Sequence, residues 1–349
     1  MFFCHKTAPV TSICWQPIAG VALFVALLII ASGCEAPAEY HHYHGATMGT
    51  QYRITANCPV DASAAVVREL RVVNSDMSTY LVDSTISKFN RAPVGTWLPV
   101  SPSLIKVIEV AAELSKASGG AFDVTVGGLV NLWGFGPNGD RSPPPDHEAI
   151  GKARSEVGYA RLLVRQEPPG LAKTHALYVD LSAIAKGYGV DRLSEVLDDA
   201  RCPDYLIDIG GEVRARGTNA AGEDWRIGIE VPDSTRLGSI QRVLSLSNEA
   251  VATSGDYRNF FEERGQRYSH TIDPRTGYPV THDLASVTVI HESAMWADGY
   301  ATALNVLGPV RGLEFATDHE LAALFVVRTE NGFEERYTPA MRARSMVSE

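Results

Sequence analysis

The order of the predicted strands and helices constrains the fold of this 349-residue chain more than any other feature. Three strand-like runs, at 225–231, 240–246 and 284–290, follow one another with no helical pattern between them. A doubly wound sheet would instead alternate strands with helices. No Walker A phosphate loop is present either. The pattern therefore predicts a mixed α/β or α+β fold and argues against a Rossmann domain.

Helix and turn signals place further elements along the chain. Asp61 precedes an apolar helical face and is the predicted cap of that helix, while Ser101 followed by Pro102 is typical of another helix start. Pro309 predicts that a helix over 294–307 ends and that a second helix begins. A further helical pattern spans 186–197, and the other strand-like runs lie at 47–55, 177–181, 205–209 and 321–327.

The N-terminal residues have the pattern of a secretion signal. The apolar run 18–30 is short for a transmembrane span, and Ala31-Ser-Gly-Cys34 resembles the cleavage box of a lipoprotein. We predict a signal peptide over 1–33, lipidation of Cys34, a tether over 34–46 and a folded domain over 47–340. The alternative is an uncleaved anchor helix, and both interpretations place the domain outside the cytoplasm. We expect His41, His42 and His44 of the tether to be solvated rather than bound to metal.

Charge and cysteine content exclude some classes of partner and leave one question open. The net charge is −10, and removal of the signal, with Lys6 as its one formal charge, makes it more negative. Such a chain has no electrostatic reason to bind nucleic acid. Cys58 and Cys202 could pair in an oxidising compartment, but their spacing alone does not decide it.

Asp298 and Thr302 lie four residues apart in a predicted helix. That spacing places a carboxylate and a hydroxyl on one helix face, with small residues around them that leave room for a ligand. Oxygen ligands of this kind suit Mg²⁺, which commonly shares its coordination with phosphate. The alternative is a buried helix with a single polar stripe.

Several other stretches combine glycine with polar groups. Glycine lets the backbone approach a ligand closely, and free amides at a helix start favour phosphate. Each stretch alone is an ordinary turn signal, whereas their number on one chain is unusual. They are 118–123, 129–136, 180–188, 208–212, 254–257 and 269–277.

Taken together, these stretches resemble the ApbE family of FAD:protein FMN transferases. The resemblance runs from Met48 to about Val327 and includes Met77-Ser-Thr-Tyr80, Trp133-Gly-Phe-Gly136, His270-Thr-Ile-Asp273 and Ala297-Asp-Gly-Tyr-Ala-Thr302. It implies binding of FAD and Mg²⁺, transfer of FMN to a threonine of a target protein through a phosphoester, and release of AMP. The implied acceptor is a subunit of a flavin-dependent respiratory complex. We expect the protein on the periplasmic face of the bacterial inner membrane, and the outer membrane is the alternative.

The resemblance also assigns site residues. It implies that Asp298, Thr302 and the carbonyl of Ala183 bind the metal. The alternatives are core packing for Met48, Tyr80, Phe122 and Ile272, and turn or cap roles for Asp123 and Asp180. The implied contacts to the flavin nucleotide are Met48, Tyr80, Ala121, Phe122, Asp123, Asp180, Lys186 and Ile272.

A threonine hydroxyl is a weak nucleophile, so transfer benefits from a general base. We predict His270 as that base and Asp273 as the residue that orients it. The alternative role of His270 is a hydrogen bond to the nucleotide. Two rival functions use the same residues: an FAD pyrophosphatase in which water replaces threonine, and a non-catalytic FAD-binding lipoprotein.

Overall fold

The computed structural model describes residues 40–137, 139, 144–233, 238–256, 259–263 and 265–345. The predicted signal peptide, Cys34 and the first part of the predicted tether lie outside these residues. In the part of the chain that is described, no helix is both long and apolar enough to cross a membrane.

One eight-stranded sheet forms the centre of the described domain. Its strands are β1 (Tyr40–Thr47), β2 (Thr50–Asn57), β6 (Asp204–Ile209), β7 (Glu212–Arg216), β10 (Ala250–Gly255), β13 (Leu284–His291), β14 (Ala322–Thr329) and β15 (Gly332–Tyr337). They lie in the order β1-β2-β6-β7-β10-β13-β14-β15, and every neighbouring pair is antiparallel. The arrangement confirms the predicted mixed fold and is not that of a Rossmann domain.

The described residues also form three small sheets. One contains β3 (Leu98–Pro99), β5 (Gly170–Lys173) and β4 (Leu162–Arg165), in that order. The other two are hairpins: β8 (Trp225–Glu230) with β9 (Ile240–Leu246), and β11 (Phe260–Glu263) with β12 (Gln266–Ser269).

Eight α-helices lie within the described ranges. Ser101 caps one of them as predicted, because its hydroxyl accepts a hydrogen bond from the main-chain N–H of Leu104. The helices are α1 (Ser63–Met77), α2 (Thr85–Arg91), α3 (Pro102–Ala117), α4 (Gly127–Leu132), α5 (His147–Ser155), α6 (Ala185–Asp199), α7 (Ala294–Asp318) and α8 (Pro339–Ser345).

Apolar side chains cover both faces of the central sheet. On one face, α1 and α6 pack on β1, β2 and β6, while α7 packs on β10, β13 and β14. On the other face, the β8–β9 hairpin and Met341 of α8 pack on β7, β10 and β14. The central strand β13 is therefore buried along nearly its whole length, which explains its continuous run of apolar and small residues.

Helix α7 is interrupted where the sequence predicted a helix boundary. Gly308 has φ of 79° and ψ of −177°, and Pro309 follows it. Proline has no N–H to donate to the carbonyl four residues earlier, at Asn305. The Nε2 atom of His282 lies 2.7 Å from that carbonyl oxygen and satisfies it instead. The break is thus stabilised by a side chain from outside the helix.

The structure corrects several local predictions. The predicted tether includes seven residues that form most of β1, which pairs with β2 along its length. His42 and His44 are exposed, as expected, but half-buried His41 faces the carbonyl of Cys58. Residues 177–181 form no strand; only Tyr178 makes an isolated bridge, to Val126.

The ends of β2 and α6 are covalently connected. Cys58, just after β2, forms a disulfide with Cys202, just before β6, which answers the pairing question that the sequence left open. Asp61 does not cap α1 directly, since the N-cap is Ala62, but its carboxylate accepts from the N–H and hydroxyl of Ser63.

Candidate functional site

A cavity of about 910 Å³ opens between α6, α7, the ends of β6, β7 and β10, and the chain around His270. Its size is within the range of small-molecule and cofactor sites. It collects all the predicted binding, metal and catalytic residues except Met48 and Asp273. The predicted residues that line it are Tyr80, Ala121, Phe122, Asp123, Asp180, Ala183, Lys186, His270, Ile272, Asp298 and Thr302.

Helices α6 and α7 are held together by reciprocal hydrogen bonds at their first turns. Oδ2 of Asp298 on α7 accepts from the N–H of Gly187 on α6, at 3.0 Å. In return, Asp191 on α6 accepts from the N–H groups of Ala294 and Met295, which begin α7. Each carboxylate thus satisfies amides that a helix start leaves unpaired.

Gly187 makes this close approach of the two helices possible. A Cβ atom at this position would lie 2.2 Å from the carbonyl oxygen of Ala294 and 2.8 Å from Cβ of Asp298. Any side chain would therefore push α6 and α7 apart. The glycine after Lys186 consequently has a packing role.

A cluster of three charged side chains lies at this end of the cavity. Nζ of Lys186 is 2.5 Å from Oε2 of Glu212 and 4.0 Å from Oδ1 of Asp298. The first contact is a close ion pair, and both side chains of that pair lie against the cavity. Two buried carboxylates therefore share one ammonium group.

The pKa values of the three groups reflect this imbalance. Burial raises the pKa of Glu212, although Lys186 opposes the rise. Burial likewise raises the pKa of Asp298, against the effect of Lys186 and of the Gly187 N–H. Burial opposes the charged form of Lys186, but Asp298 and Glu212 outweigh it and raise the pKa of Lys186. A further positive charge in the cavity would therefore stabilise the charged forms of both carboxylates.

These residues fit a hard cation such as Mg²⁺. Asp298, Thr302 and Ala183 line the same cavity, and together they offer a carboxylate, a hydroxyl and a main-chain carbonyl. Among the described residues no cluster of three or more His, Cys, Asp or Glu could hold a metal, so any ion here depends on this mixed oxygen set. Such an incomplete set is typical of Mg²⁺ sites that phosphate completes.

Two of the predicted nucleotide contacts are engaged in turns of their own chain. Asp123 accepts from the N–H and hydroxyl of Thr125 and from the N–H of Tyr159. Asp180 accepts from the N–H and hydroxyl of Ser182, which shapes the turn leading into α6. Both residues line the cavity, so they form its wall as well as stabilising it.

Tyr80 is 63% exposed at the cavity, an unusual situation for a large aromatic side chain. Its hydroxyl donates to the carbonyl of Phe135, another lining residue. An exposed ring of this kind offers a flat apolar face to a planar ligand. By contrast, Ala121, Phe122 and Ile272 are buried and contribute to the cavity wall.

Met48 does not line this cavity, and its predicted contact with the nucleotide stays a prediction. It occupies the β1–β2 turn with a positive φ of 47°. Its side chain packs against two apolar clusters and lies close to Gly189 of α6. Met48 therefore contributes to packing in the structure.

The orientation of His270 differs from the prediction. Its Nδ1 atom lies 3.0 Å from the carbonyl oxygen of Asn259. Both carboxylate oxygens of Asp273 instead accept from the guanidinium of Arg275, at 2.8–2.9 Å. Asp273 therefore shapes its own turn, and a main-chain carbonyl takes the place predicted for it.

The sequence did not identify two groups of polar residues at the site. Glu212 appeared only as the end of a glycine-rich stretch, with no spacing that relates it to Lys186. Asn305, fully buried, donates from Nδ2 to the hydroxyls of Ser254 and Thr271, which line the cavity. Its position three residues after Thr302 could have identified Asn305 as a site residue, because this spacing places both side chains near one helix face.

Comparison with known proteins identifies the family of this chain. The model of the ApbE family matches residues 48–325. The FAD:protein FMN transferase of Haemophilus influenzae is 39% identical over 343 residues, covering 95% of this chain and 99% of that protein. The protein of the same name from Vibrio cholerae is 43% identical over 318 residues, covering 89% and 94% of the two chains.

Solved structures show the same fold. The flavin transferase ApbE from Vibrio cholerae superimposes with a TM-score of 0.82 at 40% identity, over 88% of this chain and 100% of that one. The apo flavinyl transferase ApbE of Pseudomonas stutzeri gives a TM-score of 0.81 at 39% identity, over 88% and 96%. Sequence, fold and cavity together establish that the chain belongs to the ApbE family.

Proposed function

We propose that this protein is an FAD:protein FMN transferase that moves FMN from FAD to a threonine hydroxyl of an acceptor protein and releases AMP. The observation that carries the proposal is the single cavity in which the Asp298–Thr302 face of α7, the start of α6 and His270 meet. Membership of a family whose members bear this enzymatic name supports it.

The proposed reaction is a displacement at the flavin-side phosphorus of the FAD pyrophosphate. The threonine oxygen forms a bond to that phosphorus, and the phosphorus–oxygen bond to the AMP half breaks. The hydroxyl proton passes to Nε2 of His270. Because a carbonyl can only accept, the Asn259 contact assigns a proton to Nδ1 and leaves Nε2 as the basic nitrogen. A positioned base of this kind typically contributes roughly 10²–10⁴-fold to the rate.

Asp298, Thr302 and the Ala183 carbonyl would hold Mg²⁺. When bound, the ion would offset negative charge on the pyrophosphate and on the leaving AMP. The chain's own contribution is to fix these oxygens: Asp298 is held by the Gly187 N–H, and Ala183 belongs to the turn shaped by Asp180. The site is therefore organised before a ligand arrives.

The start of α6 and the exposed ring of Tyr80 suit the pyrophosphate and one ring system of a dinucleotide. Lys186, in the first turn of α6, lines the cavity and offers a positive charge to a pyrophosphate. Tyr80, on the cavity rim, offers a face for one of the planar ring systems. The cavity thus offers a charged subsite for the pyrophosphate and an aromatic contact for a ring.

We also propose that the protein acts outside the cytoplasm, anchored by lipid at Cys34 to the periplasmic face of the inner membrane. The Cys58–Cys202 disulfide supports this location, since such bonds persist in oxidising compartments. The proposed acceptor is a subunit of a flavin-dependent respiratory complex.

The test is incubation of the soluble domain with FAD, Mg²⁺ and a threonine-containing acceptor peptide. We expect covalent flavin fluorescence on the peptide together with AMP, and loss of both after chelation by EDTA. Free FMN plus AMP without labelled peptide would identify a pyrophosphatase. Unchanged FAD that stays bound to the protein would identify a carrier. Replacing the threonine of the peptide by valine is the matched control.

A further inference from the structure

Lys186 lies between two buried carboxylates at unequal distances. Its Nζ atom is 2.5 Å from Oε2 of Glu212 but 4.0 Å from Oδ1 of Asp298. The longer distance is beyond hydrogen bonding, so the ammonium approaches Asp298 without occupying it. The side chains of Glu212 and Asp298 are 3% and 7% exposed, so water screens neither charge effectively.

An ammonium group at hydrogen-bond distance from Asp298 would compete with a divalent cation for the same carboxylate. Like charges repel strongly where water is excluded, and a lysine–carboxylate ion pair uses the lone pairs that a metal needs. Lysine has a flexible four-carbon stem and can move between nearby acceptors. A second acceptor is therefore needed to keep Lys186 away from Asp298.

Glu212 is built to be that acceptor. It begins β7 and pairs with Ile209 of β6 across a two-residue turn. Both turn glycines have positive φ, 62° at Gly210 and 106° at Gly211, and the Gly211 N–H donates to Asp208. The backbone of Glu212 is thus fixed in the central sheet, and its carboxylate presents a stationary partner to the flexible lysine.

We propose that Glu212 is a positioning residue that holds the ammonium of Lys186 away from the metal-binding oxygen of Asp298. The inference rests on the proposed metal site. It assigns Glu212 a role that acts through Lys186 rather than through contact with the metal or the substrate. Removal of Glu212 lets the ammonium move onto Asp298 and lowers the affinity for the cation.

A double-mutant cycle with Mn²⁺ as the probe tests this role. Mn²⁺ accepts the same oxygen ligands as Mg²⁺, and its free concentration is measurable by electron paramagnetic resonance, with and without FAD. The four proteins are the wild type, Glu212→Gln, Lys186→Met and the double variant. A purely long-range charge effect of Glu212 would be the same whether or not Lys186 is present, because independent effects add.

We expect Glu212→Gln to weaken Mn²⁺ binding about tenfold more in the presence of Lys186 than in the Lys186→Met background, as for contacting residues that are coupled. If Glu212→Gln weakens Mn²⁺ binding by the same factor in both backgrounds, the inference is overturned while the metal site stands. If Asp298→Asn binds Mn²⁺ as well as the wild type, the metal site itself is wrong.

Two controls exclude loss of folding as the cause. Thermal unfolding of all four proteins shows whether each is folded at the temperature of the titration. Glu249→Gln removes a carboxylate from another ion pair, with Arg344, outside the cavity. We expect this variant to bind Mn²⁺ like the wild type, and weakened binding by it would mean that general destabilisation explains the Glu212 result.

Discussion

The two walls of the cavity are built differently. The wall that carries Asp298 and Lys186 consists of two helix starts, locked to each other by carboxylate–amide hydrogen bonds in both directions. The wall that carries His270 consists of chain that follows the β11–β12 hairpin and is oriented by the main-chain carbonyl of Asn259. The first wall suits chemistry that needs fixed charges, namely binding a cation and a pyrophosphate.

The second wall is anchored less directly. Arg267 of β12 donates to the carbonyl of Asp256, and the Asp256 carboxylate is paired with Arg328 of β14. These contacts connect the hairpin to the central sheet through side chains rather than through helix packing. We relate this difference to the proposed reaction: the helix wall would hold the pyrophosphate and the cation, whereas the wall of His270 would act on the attacking hydroxyl.

The largest expected effect comes from Asp298→Ala on the helix wall. It removes the one carboxylate of the proposed metal set and leaves the Gly187 N–H unpaired. Because a Lewis-acid contribution is worth several kcal/mol, we expect flavin transfer to fall by roughly 10³-fold or more. The measurement is the rate of peptide labelling at saturating Mg²⁺. Glu314→Ala, at an exposed position of the same helix, is the control, and near-normal labelling by Asp298→Ala would refute the assignment.

On the opposite wall, His270→Asn should slow transfer by roughly 10²–10⁴-fold, the usual contribution of a general base. Asparagine can still donate a hydrogen bond to the Asn259 carbonyl, so we expect the affinity for FAD to stay within a few-fold of the wild type. Equilibrium titration of FAD fluorescence gives the affinity, and single-turnover labelling gives the rate. Loss of FAD binding would make His270 a binding residue instead.

The close packing of the helix wall is tested by Gly187→Ala. The added methyl group would overlap with Ala294 and Asp298, so we expect a loss of about 1–3 kcal/mol in the free energy of unfolding. Chemical denaturation measures it. Gly151→Ala is the matched control, because it lies in helix α5 with no atom within 4 Å of the added Cβ. If both variants are equally stable, the two helices do not require this contact.

The smallest effect is expected for Asp273→Asn. Its carboxylate holds Arg275 and not the imidazole of His270, so transfer should change by less than about tenfold even though one ion pair is weakened. Steady-state labelling rates at several peptide concentrations provide the measurement. A loss as large as that of His270→Asn would restore Asp273 as the orienting residue and contradict the hydrogen bonds seen here.

The two walls also differ in how far the sequence could predict them. Asp298 and Thr302 are four residues apart on one helix, and local periodicity was enough to place them on one face. Asp273 is three residues from His270, but it lies in a turn where Arg275 is a nearer partner. Spacing along a turn does not determine which side chains meet.

The remaining differences between prediction and structure arise from contacts between distant parts of the chain. Glu212 meets Lys186 only because β7 lies beside α6 in the fold, and no sequence pattern encodes that pairing. The strand β1 is rich in histidine and was predicted as a tether, yet its main-chain pairing with β2 holds it in the sheet. The mixed fold itself was predictable, because strands and helices that do not alternate strictly argue against a doubly wound sheet.

The most direct test of the division between the walls is to measure AMP release and peptide labelling side by side. The same three proteins are compared with FAD and Mg²⁺ present: the wild type, Asp298→Asn and His270→Asn. The account predicts equal amounts of AMP and labelled peptide from the wild type, and almost none of either from Asp298→Asn. His270→Asn should lose labelled peptide more than AMP, because water can attack the same phosphorus in place of threonine and release free FMN with AMP. Normal AMP release by Asp298→Asn would contradict the account.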